Sequence, residues 1–328
     1  MLSIGAMGKA GSGAGDYYVN LAREDYYTRG GEPVGWWRGI AASSLGLTGI
    51  VERQDLRALL AGFHPTTGAA LLQKAGPDHR AGWDLTFSAP KSVSVLWSQA
   101  DAPHRATIQA AQQAAVDRTL AFLQEHAAVT GRGRDGLAQE PVAGLVVATF
   151  EHSTSREQDP QLHTHCLVAN VAPRQDGSWG SLESRHFYQW KMAAGAYYRA
   201  ELAQQLRNRL HLDIERDERA FRLAGIPKDL ELHFSKRRAQ IREQLHHFAV
   251  NTAASAAVAT LQSREQKDTI NRTDLLARWQ QEGRELGFGP DAVQTLLATP
   301  ARDTTLLLLE PETLLHTLTQ TAPTFTER

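Results

Sequence analysis

A single cysteine, Cys166, occurs in 328 residues. One thiol excludes an internal disulfide framework and fits a reducing compartment, so a cytoplasmic location is expected. Long apolar runs are also scarce. Stretches such as LTGIV and LLLLE fall far short of the roughly 20 residues that cross a bilayer, and no membrane segment is expected. The opening MLSIGAMGKAGSGAG carries one lysine and no apolar core, which argues against a secretory signal. An excess of one charge is missing too: 35 Lys and Arg face 36 Asp and Glu. Many nucleic-acid binders show a basic excess, although a local basic groove is compatible with a balanced chain. Gly8-Lys9 precedes its glycines, and no Gly-x-x-x-x-Gly-Lys-Ser/Thr occurs, so this chain holds no P-loop motor. The His-Glu-x-x-His helix of zinc hydrolases is absent as well.

Hydrophobic residues make up 42% of the chain and charged residues 22%, as in a soluble globular protein large enough for one big domain or two modest ones. MLSI reads as a short strand and residues 52–62 as a short helix. DLTFSAPKSVSVLW, from Asp84 to Trp97, reads as a strand, a turn at Ala89-Pro90, then a strand or a buried helix. Residues 103–127 and 189–210 have helical periodicity. Pro141–Phe150 and Leu162–Pro173 read as buried strands, and Leu212–Gly225 as a hairpin. A basic helix is expected around Phe234–Phe248, with an Ala-rich helical stretch after Asn251 and weak periodicity beyond Pro300. Strands and helices mix without βαβ alternation, which predicts an α+β fold with a central antiparallel sheet flanked by helices.

The most specific chemistry lies in EHSTSREQDPQLHTHCLV. His163 and His165 are two apart on a strand-like run, so they share a face. If the preceding strand pairs with it as a hairpin, His152 comes beside them, and three imidazoles converge with coordination positions left for a substrate. Surface histidines near a loop are the plainer alternative. Cys166 points the other way and is read as core. Arg156 is a candidate phosphate contact or the partner of Asp159. Asp84 opens the strand DLTF and could orient a ligand histidine or take a proton from a nucleophile; spacing leaves a solvent-facing role equally open.

Tyrosine is sparse, seven in all, yet four fall in GDYYVNLAREDYYTRG as the pairs Tyr17-Tyr18 and Tyr26-Tyr27. Neighbouring residues on a helix or strand do not share a face, so packing alone gives little reason for two adjacent pairs. A phenol is a possible nucleophile. Beside a three-histidine metal site it could attack a phosphodiester and hold the strand as a phosphotyrosine ester, with a second tyrosine available for a second transfer. On one unbroken helix Tyr17 and Tyr26 would lie about 180° apart, so the helix is expected to end, or Asp25–Gly31 to move, before the second pair is used. The competing reading is an aromatic-rich helix packed on the sheet.

These elements together resemble the relaxase domain of the MobF class of conjugative relaxases. The resemblance rests on the two tyrosine pairs, on DLTFSAPKSVS from Asp84, on the H-x-x-S-R-x-x-D-P-Q-L-H-T-H run from His152 to His165, and on FSKR at Phe234–Arg237. It covers most of residues 1–250 and implies a fold related to rolling-circle replication initiators, of the HUH endonuclease type. It implies site- and strand-specific nicking at a plasmid origin of transfer, leaving protein on the 5′ phosphate, with Tyr17 as first and Tyr26 as second nucleophile. Tyr18 and Tyr27 are their neighbours in the site. His152, His163 and His165 match the metal ligands, and Asp84 matches the acidic residue that bonds a ligand histidine.

Softness favours Zn, Ni, Cu or Mn on three imidazoles, whereas phosphoryl chemistry commonly uses Mg or Mn, so a divalent ion is expected with Mg or Mn as the working metal. Expected partners are single-stranded and hairpin DNA of the origin and other relaxosome and conjugation proteins, in a bacterial donor cell and with transport to the recipient. Lys91, Arg156, Lys236, Arg237, Arg238 and Arg242 are candidate phosphate binders, while a solvated helix face also explains the run from Lys236. Residues 251–328 are expected to be a helical, partly disordered extension toward a helicase region that this chain lacks. Rival readings are a rolling-circle replication initiator and a metal-stabilised DNA-binding module whose tyrosines only stack on bases.

Overall fold

The computed structural model describes residues 1–12, 33–133, 137–217, 220–238, 240 and 271–299. In chain order the strands are β1 (Leu2–Ala6), β2 (Trp36–Arg38), β3 (Gly82–Ser88), β4 (Val129–Arg132), β5 (Ala138–Pro141), β6 (Val147–Thr154), β7 (Pro160–Ala169), β8 (Ala172–Pro173), β9 (Trp179–Gly180), β10 (Ile214–Asp217) and β11 (Ala220–Leu223). The helices are α1 (Arg53–Leu60), α2 (Lys91–Gln99), α3 (Ala102–Ala127), α4 (Arg185–Leu210), α5 (Lys228–His233), α6 (Arg272–Glu285) and α7 (Pro290–Ala298). Five strands form one sheet in the order β1-β3-β7-β6-β2, with every pairing antiparallel. The expected antiparallel α+β architecture is present.

Alternation along the strands divides the sheet into two faces. On one, Trp83, Leu85 and Phe87 of β3 and Leu162, Cys166 and Val168 of β7 pack against α3 and α4 through Ile108, Ala115, Val116, Phe187, Tyr198 and Leu202. The helix α3 starts where Asp101 accepts from the His104 amide at 2.9 Å and Pro103 occupies the first turn. On the other face, Ala148, Phe150, Leu167 and Ala169 join Trp37, Leu45, Leu56, Leu59 and Leu60 in a second cluster. Continuing along that face, the positions after Phe150 and before Leu167 are His152, and His165 with His163. Hydrophobic packing thus anchors one end of the strands that carry the histidines at the other.

Three expectations need adjustment. The segment 91–97 is the helix α2, with Val93, Val95, Leu96 and Trp97 all buried. Burial on every side erases the amphipathic pattern that separates a helix from a strand. The apolar run from Pro141 becomes β-structure of the main sheet only at Val147. Upstream, the Ala143 amide bonds Pro173 O, the Leu145 amide bonds Gln124 Oε1, and Leu145 O accepts from Ala41. A Cβ on Gly144 would sit 2.7 Å from the Ala41 amide nitrogen, so only a glycine permits this close approach. The strand expected through Pro173 ends at Ala169. Asn170 then bonds Arg80 O and the Leu182 amide and redirects the chain into β8.

The described part of the chain beyond residue 250 shares the main core. Leu275, Trp279, Phe288 and Val293 belong to the cluster that also holds Val93, Val95 and Trp97. Trp279 meets Trp97 edge-on with ring centroids 6.1 Å apart, and the Arg272 guanidinium lies over Trp97 at 5.1 Å. The expected basic helix of residues 234–248 lies mostly outside the described residues; Lys236–Arg238 is helical.

Candidate metal and nucleic-acid site

The strands β6 and β7 form a hairpin in which His152 lies opposite His163 and Phe150 opposite His165. A register shift between His152 and Thr154 marks an irregularity at the third imidazole, a common device for re-aiming a side chain. The three rings have centroids 5.0–5.3 Å apart. One nitrogen from each lies within 4.8 Å of the others, so the hairpin brings the three sequence-predicted ligands together.

Neighbouring groups select the ring tautomers. His165 Nδ1 lies 2.8 Å from Asp84 Oδ2, and His163 Nδ1 lies 2.8 Å from Gln161 O. Both oxygens accept, so each Nδ1 carries the proton and each lone pair sits on Nε2. Asp84 and Thr86 reach His165 because β3 lies beside β7, with Thr86 opposite His165 and Ser88 opposite His163. Thr86 Oγ1 donates to Asp84 Oδ1 at 3.2 Å and stands 3.3 Å from His165 Nδ1. Neutral imidazoles presenting Nε2, with Nδ1–H held by an oxygen, form the donor set that suits a divalent metal ion. The residues fit such an ion.

Lys91, Arg156, Lys236 and Arg237, four of the expected cationic residues, lie around the tip of this hairpin. Arg156 is exposed in the turn. The Lys91 amine donates to Pro160 O at 2.9 Å, and burial pulls its pKa down to about 8 against the attraction of Asp159 and Glu231. Lys236 donates its amide to Asp159 Oδ2 at 2.8 Å, with its amine 3.5 Å from Oδ1. Burial raises the Asp159 pKa, and Lys236 and Lys91 oppose that rise. Arg237 lies 4.0 Å from Glu157. Asp159 therefore takes Lys236, 77 residues away, as its cation. Tyr17, Tyr18, Tyr26, Tyr27 and Arg242 lie outside the described residues.

Two supporting features escaped the sequence reading. Thr86 was legible only as a same-face neighbour two residues from Asp84. Gln112 is a polar residue on the buried stripe of α3. Its amide donates to Phe87 O at 3.1 Å and Thr164 Oγ1 at 3.3 Å, and its oxygen accepts from Tyr198 at 2.6 Å. This buried network ties β3 to β7 behind the histidines. Tyr198 is fully enclosed and burial pushes its pKa up, so it is no nucleophile. The Cys166 thiol is likewise buried with its pKa raised, as expected of a core residue.

An antiparallel sheet bearing two histidines of one strand and a third from its neighbour defines an HUH-type fold. Residues 11–286 match the family described as TrwC relaxase, and the chain belongs to that family. The MobF resemblance read from the sequence is borne out by this match. The chain is 36% identical over 303 residues to the multifunctional conjugation protein TraI of Escherichia coli strain K12, covering 88% of this chain and 16% of that protein. Among solved structures, conjugative relaxase TrwC in complex with oriT DNA, metal-free, superposes with a TM-score of 0.76 at 33% identity, covering 88% of this chain and 99% of that one. A copper-bound TrwC–oriT complex matches at 34% identity and the same TM-score, 0.76, with the same coverage, 88% and 99%. So does TrwC with a 27-mer comprising the recognition hairpin and the cleavage site, at 33% identity, TM-score 0.76 and coverage of 88% and 99%. No helix among the described residues is long and apolar enough to cross a membrane.

Proposed function

We propose that this chain nicks and rejoins one DNA strand at a plasmid origin of transfer, through a 5′-phosphotyrosine intermediate that starts and ends conjugative transfer. The observation that carries the reading is the convergence of His152, His163 and His165, backed by Asp84, in a member of the relaxase family. The TrwC complexes with a recognition hairpin and cleavage site support single-stranded and hairpin DNA as the substrate.

In this reading the Tyr17 oxygen attacks the scissile phosphorus, an Oη–P bond forms, and the P–O3′ bond breaks. The 3′ oxygen leaves as a hydroxyl, taking up a proton equivalent to the one the phenol gives away. Tyr26 serves the second transfer, and Tyr18 and Tyr27 pack or stack beside them. A bound divalent ion supplies charge stabilisation to the phosphoryl oxygens. His152, His163 and His165 hold that ion, and Asp84 keeps His165 in the tautomer that presents Nε2. Mg or Mn is the working ion in the cell, with Zn, Ni or Cu as ions bound on purification. Arg156 meets DNA phosphate at the hairpin tip, joined by Lys236 and Arg237, while Lys91 supports the turn through Pro160. The protein acts in the donor cytoplasm with other conjugation proteins.

The test is a denaturing gel for covalent protein–DNA adduct, using single-stranded origin-of-transfer oligonucleotides with Mg²⁺ or Mn²⁺ and with chelator. A metal-dependent adduct lost in Tyr17→Phe is expected. An adduct that persists in Tyr17→Phe moves the role to another of the four tyrosines. Tight DNA binding without adduct on any origin would overturn the reading in favour of a binding module.

A further inference from the structure

The turn between β6 and β7 carries two of the three metal ligands on its flanks. His152 lies three residues before Ser155 and His163 three residues after Pro160. Within the turn, Gln158 adopts φ +57°, a left-handed conformation that a residue with a Cβ rarely takes. The turn's own bonds are few: the Gln158 amide to Ser155 O at 3.1 Å, the Ser155 amide to Asp159 O at 2.9 Å, and the Asp159 amide to Ser155 Oγ at 3.1 Å. Lys91 and Lys236 hold the neighbouring Pro160 and Asp159, and the Gln158 carbonyl and side chain are held from more than 100 residues away. The Trp279 indole donates Nε1–H to Gln158 O at 2.8 Å. Arg278 grips the same residue twice, Nη2 to its carbonyl at 3.0 Å and Nη1 to its side-chain Oε1 at 3.0 Å. The helix that bears them is fixed in turn by the fully buried Trp279 ring against Trp97, and by Gln99, whose amide donates to Trp279 O at 2.8 Å.

We infer that Arg278 and Trp279 are positioning residues of the metal site, clamping the β6–β7 turn so that His152 and His163 stay in register for the ion. The inference rests on the metal-dependent reading of the site given above. It assigns a role to α6, a segment for which the sequence suggested none. The physical link is geometric. Metal–nitrogen bonds of roughly 2.0–2.1 Å set one spacing for the three ring nitrogens, which lie within 4.8 Å of one another. An ion binds well only if the hairpin holds its two strands at that spacing rather than yielding. A turn left without its carbonyl donors relaxes Gln158 out of the left-handed region and shifts both flanking strands. Groups that orient ligands from outside the coordination shell contribute about 10–100-fold to metal affinity, and a clamp acting one step further out sits at or below the low end of that range.

The experiment is isothermal titration of the whole chain with Mn²⁺, comparing wild type with Trp279→Phe, Arg278→Gln and the double variant. Phe keeps most of the ring's packing and removes only the N–H donor. Leu275→Ala is the control, because it hollows the same helix's core contact while leaving the Arg278 and Trp279 donors in place. Thermal melts of the metal-free proteins confirm that each variant is folded, and Arg278→Gln, outside the core cluster, serves if the Trp279 variants do not fold. The Kd for Mn²⁺ should rise about fivefold in either single variant and about tenfold in the double, while Leu275→Ala stays within about twofold despite a lower melting temperature. Unchanged affinity in the double variant would overturn the inference, as would an equal loss in Leu275→Ala, or a wild type that binds no Mn²⁺. The adduct assay separates the two readings. A shifted Kd in a protein that forms no adduct keeps the clamp and discards the nicking function; an active protein with unshifted Kd does the reverse.

Discussion

Removing the carboxylate behind His165 perturbs the site at its most defined contact. Asp84 Oδ2 holds Nδ1–H at 2.8 Å, and Thr86 Oγ1 stands 3.3 Å from the same nitrogen while donating to Asp84 Oδ1. In Asp84→Ala the threonine hydroxyl loses its acceptor and turns its lone pair to Nδ1–H. The ring then keeps one acceptor, neutral and more distant. Outer-shell partners of a ligating histidine contribute about 10–100-fold to metal affinity, so the retained hydroxyl puts Asp84→Ala near tenfold, or about 1.4 kcal/mol. Thr86→Val leaves the carboxylate in place and costs about twofold, the worth of a weak neutral hydrogen bond. The double variant leaves Nδ1–H in a largely buried ring, 16% exposed, with both acceptors gone, and loses about 100-fold. The singles multiply to about twentyfold, so the coupling is about fivefold, or roughly 1 kcal/mol. Titration of the four proteins with Mn²⁺, with melts of the metal-free forms, measures it. A double variant no worse than the product of the singles refutes the shared-acceptor geometry. Unchanged affinity in Asp84→Ala refutes the orientation of His165 by Asp84 altogether.

Three further outcomes follow from the packing around the site. Tyr198→Phe strands the Gln112 oxygen in the core and should lower stability by about 1–2 kcal/mol in urea titration, yet leave adduct formation intact; loss of adduct would mean that the buried hydroxyl reaches the reaction. Gly82, at φ +149° opposite Ala169, has no room for a Cβ, which would drive into the Val168 carbonyl. Gly82→Ala should cost about 3 kcal/mol and weaken Mn²⁺ binding by moving β3 from β7; a wild-type melting curve would refute that close approach. Lys91 has a folded pKa of about 8 against an ordinary 10.5, so between those values the unfolded chain holds a proton that the folded chain does not. Its contribution to stability therefore climbs as pH rises from about 8 to about 10.5, by at most about 1.4 kcal/mol per pH unit. The stability difference between wild type and Lys91→Met should grow across that window, and parallel profiles at pH 7.5, 9 and 10 would show that the amine is not buried.

Much of the fold was legible where a local period carried it. The helices α3 and α4 and the hairpin β10–β11 appear within a few residues of their expected positions, because 3.6- and 2-residue periods persist along them. The histidine hairpin was legible for the same reason, aided by a connecting loop too short to send the strand elsewhere. Legibility failed where burial was uniform, as in α2, and where backbone partners came from loops, as at residues 142–146. The four tyrosines stood out by composition alone, and the MobF resemblance remains the basis for their proposed roles.

By itself, then, the sequence determined which side chains share a face: His163 with His165, Asp84 with Thr86, and Cys166 turned into the core. Those relations follow from the pleat, which repeats within a few residues of chain. Only the tertiary structure decided which faces meet. Placing β3 between β1 and β7 brought Asp84 to a histidine 81 residues away, and docking α6 on α2 brought Trp279 to a turn 121 residues away. Strand adjacency and helix docking arise from packing between distant segments, which writes no period into either of them.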